Sequence, residues 1–148
     1  MMMRKVAVIT DSTSCIPKEL ADKHNICVVP LMIVIEGQGY RDGIDITPGE
    51  VYKIMRRKTN LPTTCTPSVG DFLGAFHKMG EQADSLLCIN VTSRQSKTYD
   101  TAMVALGIAK EEMQSTKIEV LDSRAASSAL GLIVVEAARA AERGADLT

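Results

Sequence analysis

Serine and threonine hydroxyls gather at four places in this sequence, three of them directly after a strand-like apolar run. Val6-Ala7-Val8-Ile9 leads into Thr10-Asp11-Ser12-Thr13-Ser14. Leu86-Leu87-Cys88-Ile89 leads into Asn90-Val91-Thr92-Ser93, with Ser96 and Thr98 close behind. Ile118 to Leu121 leads into Asp122-Ser123, followed by Ser127 and Ser128. The fourth cluster, Thr63-Thr64-Cys65-Thr66-Pro67-Ser68, lies just before a helix. Open α/β sheets place ligands outside the carboxyl ends of their strands, so these hydroxyls can converge on one crevice. A carboxylate only accepts hydrogen bonds and needs hydroxyls, backbone amides or cations as donors. Neutral donors without an acid–base pair suit holding an anion better than transforming one. Thr64 and Ser93 are the favoured direct donors, with Ser12, Thr92, Ser96, Asp122 and Ser123 around them. From the residues alone, a ligand role for Thr64 and Ser93 balances evenly against a structural one. Ser68 reads as a helix cap before it reads as a ligand.

A second chemistry stays open. Arg94 and Lys97 flank the Ser93 cluster, and with helix N-termini they could meet a phosphate ester or serve phosphoryl transfer. That reading would call on Asp11 or Asp122 for magnesium. Neither G-x-x-x-x-G-K-[ST] nor G-x-G-x-x-G occurs. Serine hydrolase chemistry is disfavoured, because no G-x-S-x-G elbow occurs. The two histidines, His24 and His77, fall on helices away from the hydroxyls. Tyr40-Arg41-Asp42-Gly43-Ile44-Asp45-Ile46 reads as a charged turn, and its two carboxylates are too few for a metal. No catalytic residue, metal ligand set or cofactor is assigned.

The elements that must position these residues alternate between strand and helix patterns, which predicts βαβ units and a mostly parallel sheet flanked by helices. A short helix is expected over Ile16–Lys23, and extended segments over Ile26–Val29 and Leu31–Ile35, broken by Pro30. Glu36-Gly37-Gln38-Gly39 reads as a hairpin-like turn. Thr47 and Glu50 form a capping box for the next helix, whose stripe is Val51, Ile54, Met55 and Lys58. Phe72, Ala75, Phe76 and Met79 give the stripe of a helix that ends at Gly80. Tyr99, Ala102, Met103 and Leu106 mark another, and Leu130, Ile133, Val134, Ala137 and Ala141 the last. Residues 1–148 read as one α/β domain, and Asp146 after the Gly144 helix cap reads as the start of a further helix. The chain is therefore expected to be the front part of a longer, two-domain protein.

Composition sets outer limits. Apolar residues make up 45% and aromatics 3%, so the core is aliphatic, and the net charge of −1 is spread along the chain. Nothing concentrates a basic face for nucleic acid. The four cysteines have no C-x-x-C pair, and Cys27 and Cys88 read as small buried hydrophobes. No apolar run is long enough to span a membrane, and Met1-Met2-Met3-Arg4-Lys5 lacks a signal-like apolar region. A reduced cytoplasmic setting is the expectation.

Taken together, the motifs resemble those of the DegV family of bacterial fatty-acid-binding proteins. The resemblance rests on Ile9-Thr10-Asp11-Ser12-Thr13-Ser14, Tyr40-Arg41-Asp42-Gly43-Ile44-Asp45-Ile46, Pro62 to Ser68, Thr92 to Tyr99, and Asp122-Ser123, in order along the whole chain. It implies a two-domain α/β protein that buries a long-chain fatty acid between its domains, with this chain as the Rossmann-like N-terminal half. It implies Thr64 and Ser93 as carboxylate ligands. It also implies a carrier rather than a catalyst, which in some members delivers the acid to a partner kinase. Cys65-Thr66 replaces the family's Ser-Gln, Gln95 its Leu and Lys97 its Gly, making that wall bulkier and more polar. With the acyl chain uncovered, binding by this chain alone is expected to be micromolar or weaker, and its open apolar face to favour self-association.

Overall fold

The computed structural model describes residues 4–57 and 61–147. Strands β1 (Arg4–Asp11), β2 (Cys27–Val29), β6 (Ala83–Asn90) and β7 (Lys117–Asp122) form one sheet in the order β2-β1-β6-β7. Every neighbouring pair in it is parallel. The two central strands are β1 and β6, whose near-continuous apolar runs suit strands covered on both faces. Ala7, Ile9, Leu86 and Cys88 face one layer, built on α3 (Val69–Gly80) and α4 (Thr98–Glu112). Val8 and Ile89 face the other, built on α1 (Lys18–Lys23) and α5 (Ser127–Glu142).

A second, antiparallel sheet lies beside the first; its hairpin follows the expected turn after Leu31–Ile35, while its third strand was not expected. It has the order β4-β3-β5, from β3 (Met32–Ile35), β4 (Gln38–Arg41) and β5 (Thr63–Cys65). The hairpin turn is Glu36-Gly37, with Gln38 and Gly39 already paired in β4. Both turn residues have positive φ, 52° and 83°, the two-residue geometry that matches strand twist. Ile33 and Ile35 pack with Ile46, Tyr40, Val51 and Ile54 of α2 (Pro48–Arg57). The expected capping box opens α2: the Thr47 amide donates to Glu50 at 2.8 Å, and the Glu50 amide to Thr47 Oγ1 at 3.4 Å. Met55 is exposed, and Lys58 lies outside the described residues.

The α3 stripe is buried as expected, and Ser68 caps that helix through a reciprocal bond set with Asp71. The last stripe is displaced. Ile133 is exposed, while Val135 and Ala138 are buried beside Leu130 and Val134. An almost wholly apolar helix leaves its inner face undetermined by periodicity; the tertiary contact with β1 and the turn Ser12–Ser14 decides it.

Candidate functional site

Because β1 has β2 on one side and β6 on the other, the chain departs in opposite directions from their carboxyl ends. Such a switch point leaves a crevice there. Asp11 ends β1 inside that crevice with no solvent exposure. One carboxyl oxygen accepts the Thr13 amide at 3.1 Å and the Thr13 hydroxyl at 2.5 Å. The other accepts Asn90 Nδ2 at 3.2 Å and the Val91 amide at 2.9 Å. Asn90, also fully buried, takes the Ser123 amide on its carbonyl at 3.1 Å. Asp11 and Asn90 thus lace together the loops after β1, β6 and β7. Four accepted bonds engage the Asp11 carboxyl inside the fold.

Ser93 and Asp122 meet across the β6 and β7 ends. Register places Asn90 opposite Asp122, so the loop after β6 crosses above the last residue of β7. Ser93 Oγ donates to Asp122 Oδ2 at 2.6 Å. Asp122 Oδ1 accepts two amides, from Arg124 at 2.9 Å and Ser93 at 3.3 Å. The Ser93 hydroxyl and then the Arg124 amide hold the Asp122 carboxyl below its ordinary range, as a carboxylate. Arg124 is one of five non-glycine residues with positive φ among those described, and Cys15 and Ser127 at the same sheet end are two others.

The remaining predicted residues divide by what their hydroxyls already do. Ser123 donates to the Ala125 carbonyl and accepts its amide, each at 3.1 Å. Ser96 accepts the Thr98 amide at 3.2 Å and lies 2.9 Å from the Thr98 hydroxyl, a local bond pair just ahead of α4. Thr92 accepts the Arg94 amide at 3.4 Å. Ser12 accepts the Leu31 amide at 3.0 Å, tying β1 to the chain entering β3. Thr64 stands elsewhere. It is part of β5, opposite Ile33 in the antiparallel sheet, and exposed. Its hydroxyl has no hydrogen bond among the described residues, and none links it to Ser93. The fourth cluster is therefore an edge strand in its own right: β3 offers an open ladder that these three polar residues complete.

Arg94 and Lys97 are both exposed, and Lys97 pairs with Asp100 at 3.0 Å. His24 Nδ1 lies 3.0 Å from Glu142, and His77 Nε2 lies 2.8 Å from Glu112; both tie helices together. Arg41 holds Asp45 through two side-chain bonds of 2.8 Å, so the charged turn is an exposed clamp. Burial pushes the Cys88 thiol up, leaving it inert, and does the same more mildly to Cys27. An open cavity of about 590 Å³ runs from Ser12 and Ser14 along Ile16, Val28 and Pro30 to Ile44. Of the predicted site residues, Ser12 alone lines it.

Residues 5–148 match the sequence model of the DegV family, described as an uncharacterised protein family. A DegV domain-containing protein of Caldanaerobacter subterraneus is 40% identical over 143 residues, 97% of this chain and 49% of the relative. One of Clostridium perfringens is 36% identical over 95% of this chain and 50% of its own. Among solved structures, a DegV family protein of Thermus thermophilus, described by its fatty-acid binding, is 34% identical with a TM-score of 0.85. It is matched over 98% of this chain and 50% of its own. A stearic-acid-binding protein of Eubacterium ventriosum is 30% identical with a TM-score of 0.89, over 96% of this chain and 49% of its own. The chain spans about half the length of the relatives it matches.

Proposed function

The chain belongs to the DegV family, and on that premise we propose that it forms the head-group half of a long-chain fatty-acid site. The observation that carries the reading is the likeness of its fold, over nearly its whole length, to DegV proteins described as fatty-acid binders. The crevice fits that role chemically. In this reading Ser93 at the crevice and Thr64 on β5 of the neighbouring antiparallel sheet supply the direct polar contacts, with Ser12 and Thr92 as further ones, and Asp122, Ser123 and Ser96 hold the loops in place. The site grips rather than transforms: the Asp11 carboxyl is engaged within the fold, and the exposed Arg94 and Lys97 give the phosphoryl-transfer reading little support. In this proposal a second domain covers the acyl chain, and the assembled protein presents the acid to a partner kinase in the cytoplasm.

The test is native mass spectrometry of the purified protein with palmitate, alongside the Thr64→Ala/Ser93→Ala double variant. Removing two head-group contacts, each contributing roughly 1.5 kcal/mol, should lower affinity more than tenfold. Equal occupancy in both proteins, or no lipid in either, would defeat the reading.

A further inference from the structure

We infer that Asp122 holds the Ser93 hydroxyl in reserve, so that only a head group accepting as strongly as a carboxylate can take its proton. The inference rests on the proposed function and deepens it: it specifies how the site tells an ionised acid from its neutral esters. Ser93 has two donors, its amide and its hydroxyl, and both are directed at Asp122, at 3.3 and 2.6 Å. A serine hydroxyl carries one proton. Whatever that hydroxyl donates to a ligand is therefore first withdrawn from Asp122. Hydrogen bonds to an ionised acceptor are roughly twice as strong as those between neutral groups. A ligand carboxylate matches Asp122 as an acceptor. An ester carbonyl does not, and leaves the proton where it is.

The exchange costs the fold little, because Asp122 is anchored by its other oxygen. Oδ1 accepts the Arg124 amide at 2.9 Å as well as the Ser93 amide, so the loops after β6 and β7 stay joined while Oδ2 changes partner. Ser93 and Asp122 are both half-buried, which lets water replace the hydroxyl on Oδ2. Two other hydroxyl protons at this sheet end are tied into the fold. Thr13 donates to Asp11, which has no solvent exposure. Ser123 donates to the Ala125 carbonyl, which also accepts the Thr92 amide.

The experiment measures Kd for dodecanoate and methyl dodecanoate by native mass spectrometry, counting compact charge states only, so that unfolded chains do not enter. The ester is the decisive probe: it carries no charge, so losing the Asp122 charge does not by itself alter its binding. Asp122→Asn keeps an oxygen for the Arg124 and Ser93 amides and turns an NH₂ group, a donor, toward Ser93 Oγ. The Ser93 proton is then free. Asp122→Asn should tighten ester binding about fivefold, and Asp122→Ala, which removes the competing acceptor outright, should do the same. Ser93→Ala alone should leave the ester Kd unchanged, and added to Asp122→Asn it should abolish the gain. An ester Kd unmoved by both Asp122 variants, or a gain that survives Ser93→Ala, overturns the inference and leaves the proposed function standing on dodecanoate. Binding of neither ligand to any of these proteins overturns both.

Discussion

The turn Ser12–Ser14 is held in place by α5, and a pair of glycines measures how firmly. Gly131 of α5 lies against that turn: a Cβ there would stand 2.5 Å from the Ser14 carbonyl oxygen and 3.4 Å from Ile16 Cγ1. The carbonyl is backbone and cannot rotate aside, so the helix must lift from the sheet. Gly107 of α4 has nothing within 4 Å of the same position. Replacing glycine by alanine inside a helix contributes about 1 kcal/mol in both places. At Gly107 nothing opposes it, and Gly107→Ala should stabilise by roughly 0.5–1 kcal/mol. At Gly131 an overpacking cost of about 1–3 kcal/mol is set against that gain, leaving Gly131→Ala destabilised by up to ~2 kcal/mol. Urea unfolding at equal slope reads both as midpoint shifts of opposite sign. The Leu31 amide, bonded to Ser12 Oγ, should also shift in the Gly131→Ala spectrum and stay put in Gly107→Ala. Midpoints moving together in the same direction would refute the claim that α5 is seated on the Ser14 carbonyl.

Two further perturbations address the crevice and the charged turn. Asp11→Ala strands the buried Val91 amide and the Asn90 side chain, so it should cost roughly 2–4 kcal/mol, counting about 1–2 for each orphaned group. A urea midpoint close to that of the natural protein would show that the loops do not depend on it. Asp45 is held down at about 2, first by the Arg41 guanidinium and then by the Arg41 amide, against an ordinary value of 3.8. Its folded pKa is depressed, so the contribution is complete above pH 3.8 and is lost as pH falls through about 2. Asp45→Asn should therefore flatten the acid limb of the stability curve in that window and leave it parallel above; an unchanged acid limb would show that the clamp contributes nothing.

The parallel core was legible because two-sided burial leaves a direct mark in sequence: Val6 to Ile9 and Leu86 to Ile89 have no room for a polar residue. The capping box at Thr47 and the α3 stripe were legible for the same local reason. β5 was not, since Thr63, Thr64 and Cys65 are all exposed and gain strand geometry only from β3. Nor was the function of Asp11, whose decisive partners stand 79 and 80 residues away. Ser93 and Asp122 could both be named from their types. Their bond could not, because it depends on the register that sets Asn90 opposite Asp122.

That difference decides what the hydroxyls can contribute. Hydrogen bonds to a head group replace bonds to water, so two or three of them contribute a few kcal/mol at most. Burying sixteen carbons at about 0.8 kcal/mol per methylene gives on the order of 10 kcal/mol, against association costs of at least several. In the proposed site, affinity must therefore come from covering the acyl chain, while the head-group contacts set its orientation. Leu121 at the end of β7 is 48% exposed and Leu132 of α5 70%. In the proposed site the Asp122–Ser93 pair, already hydrogen-bonded, contributes orientation rather than affinity.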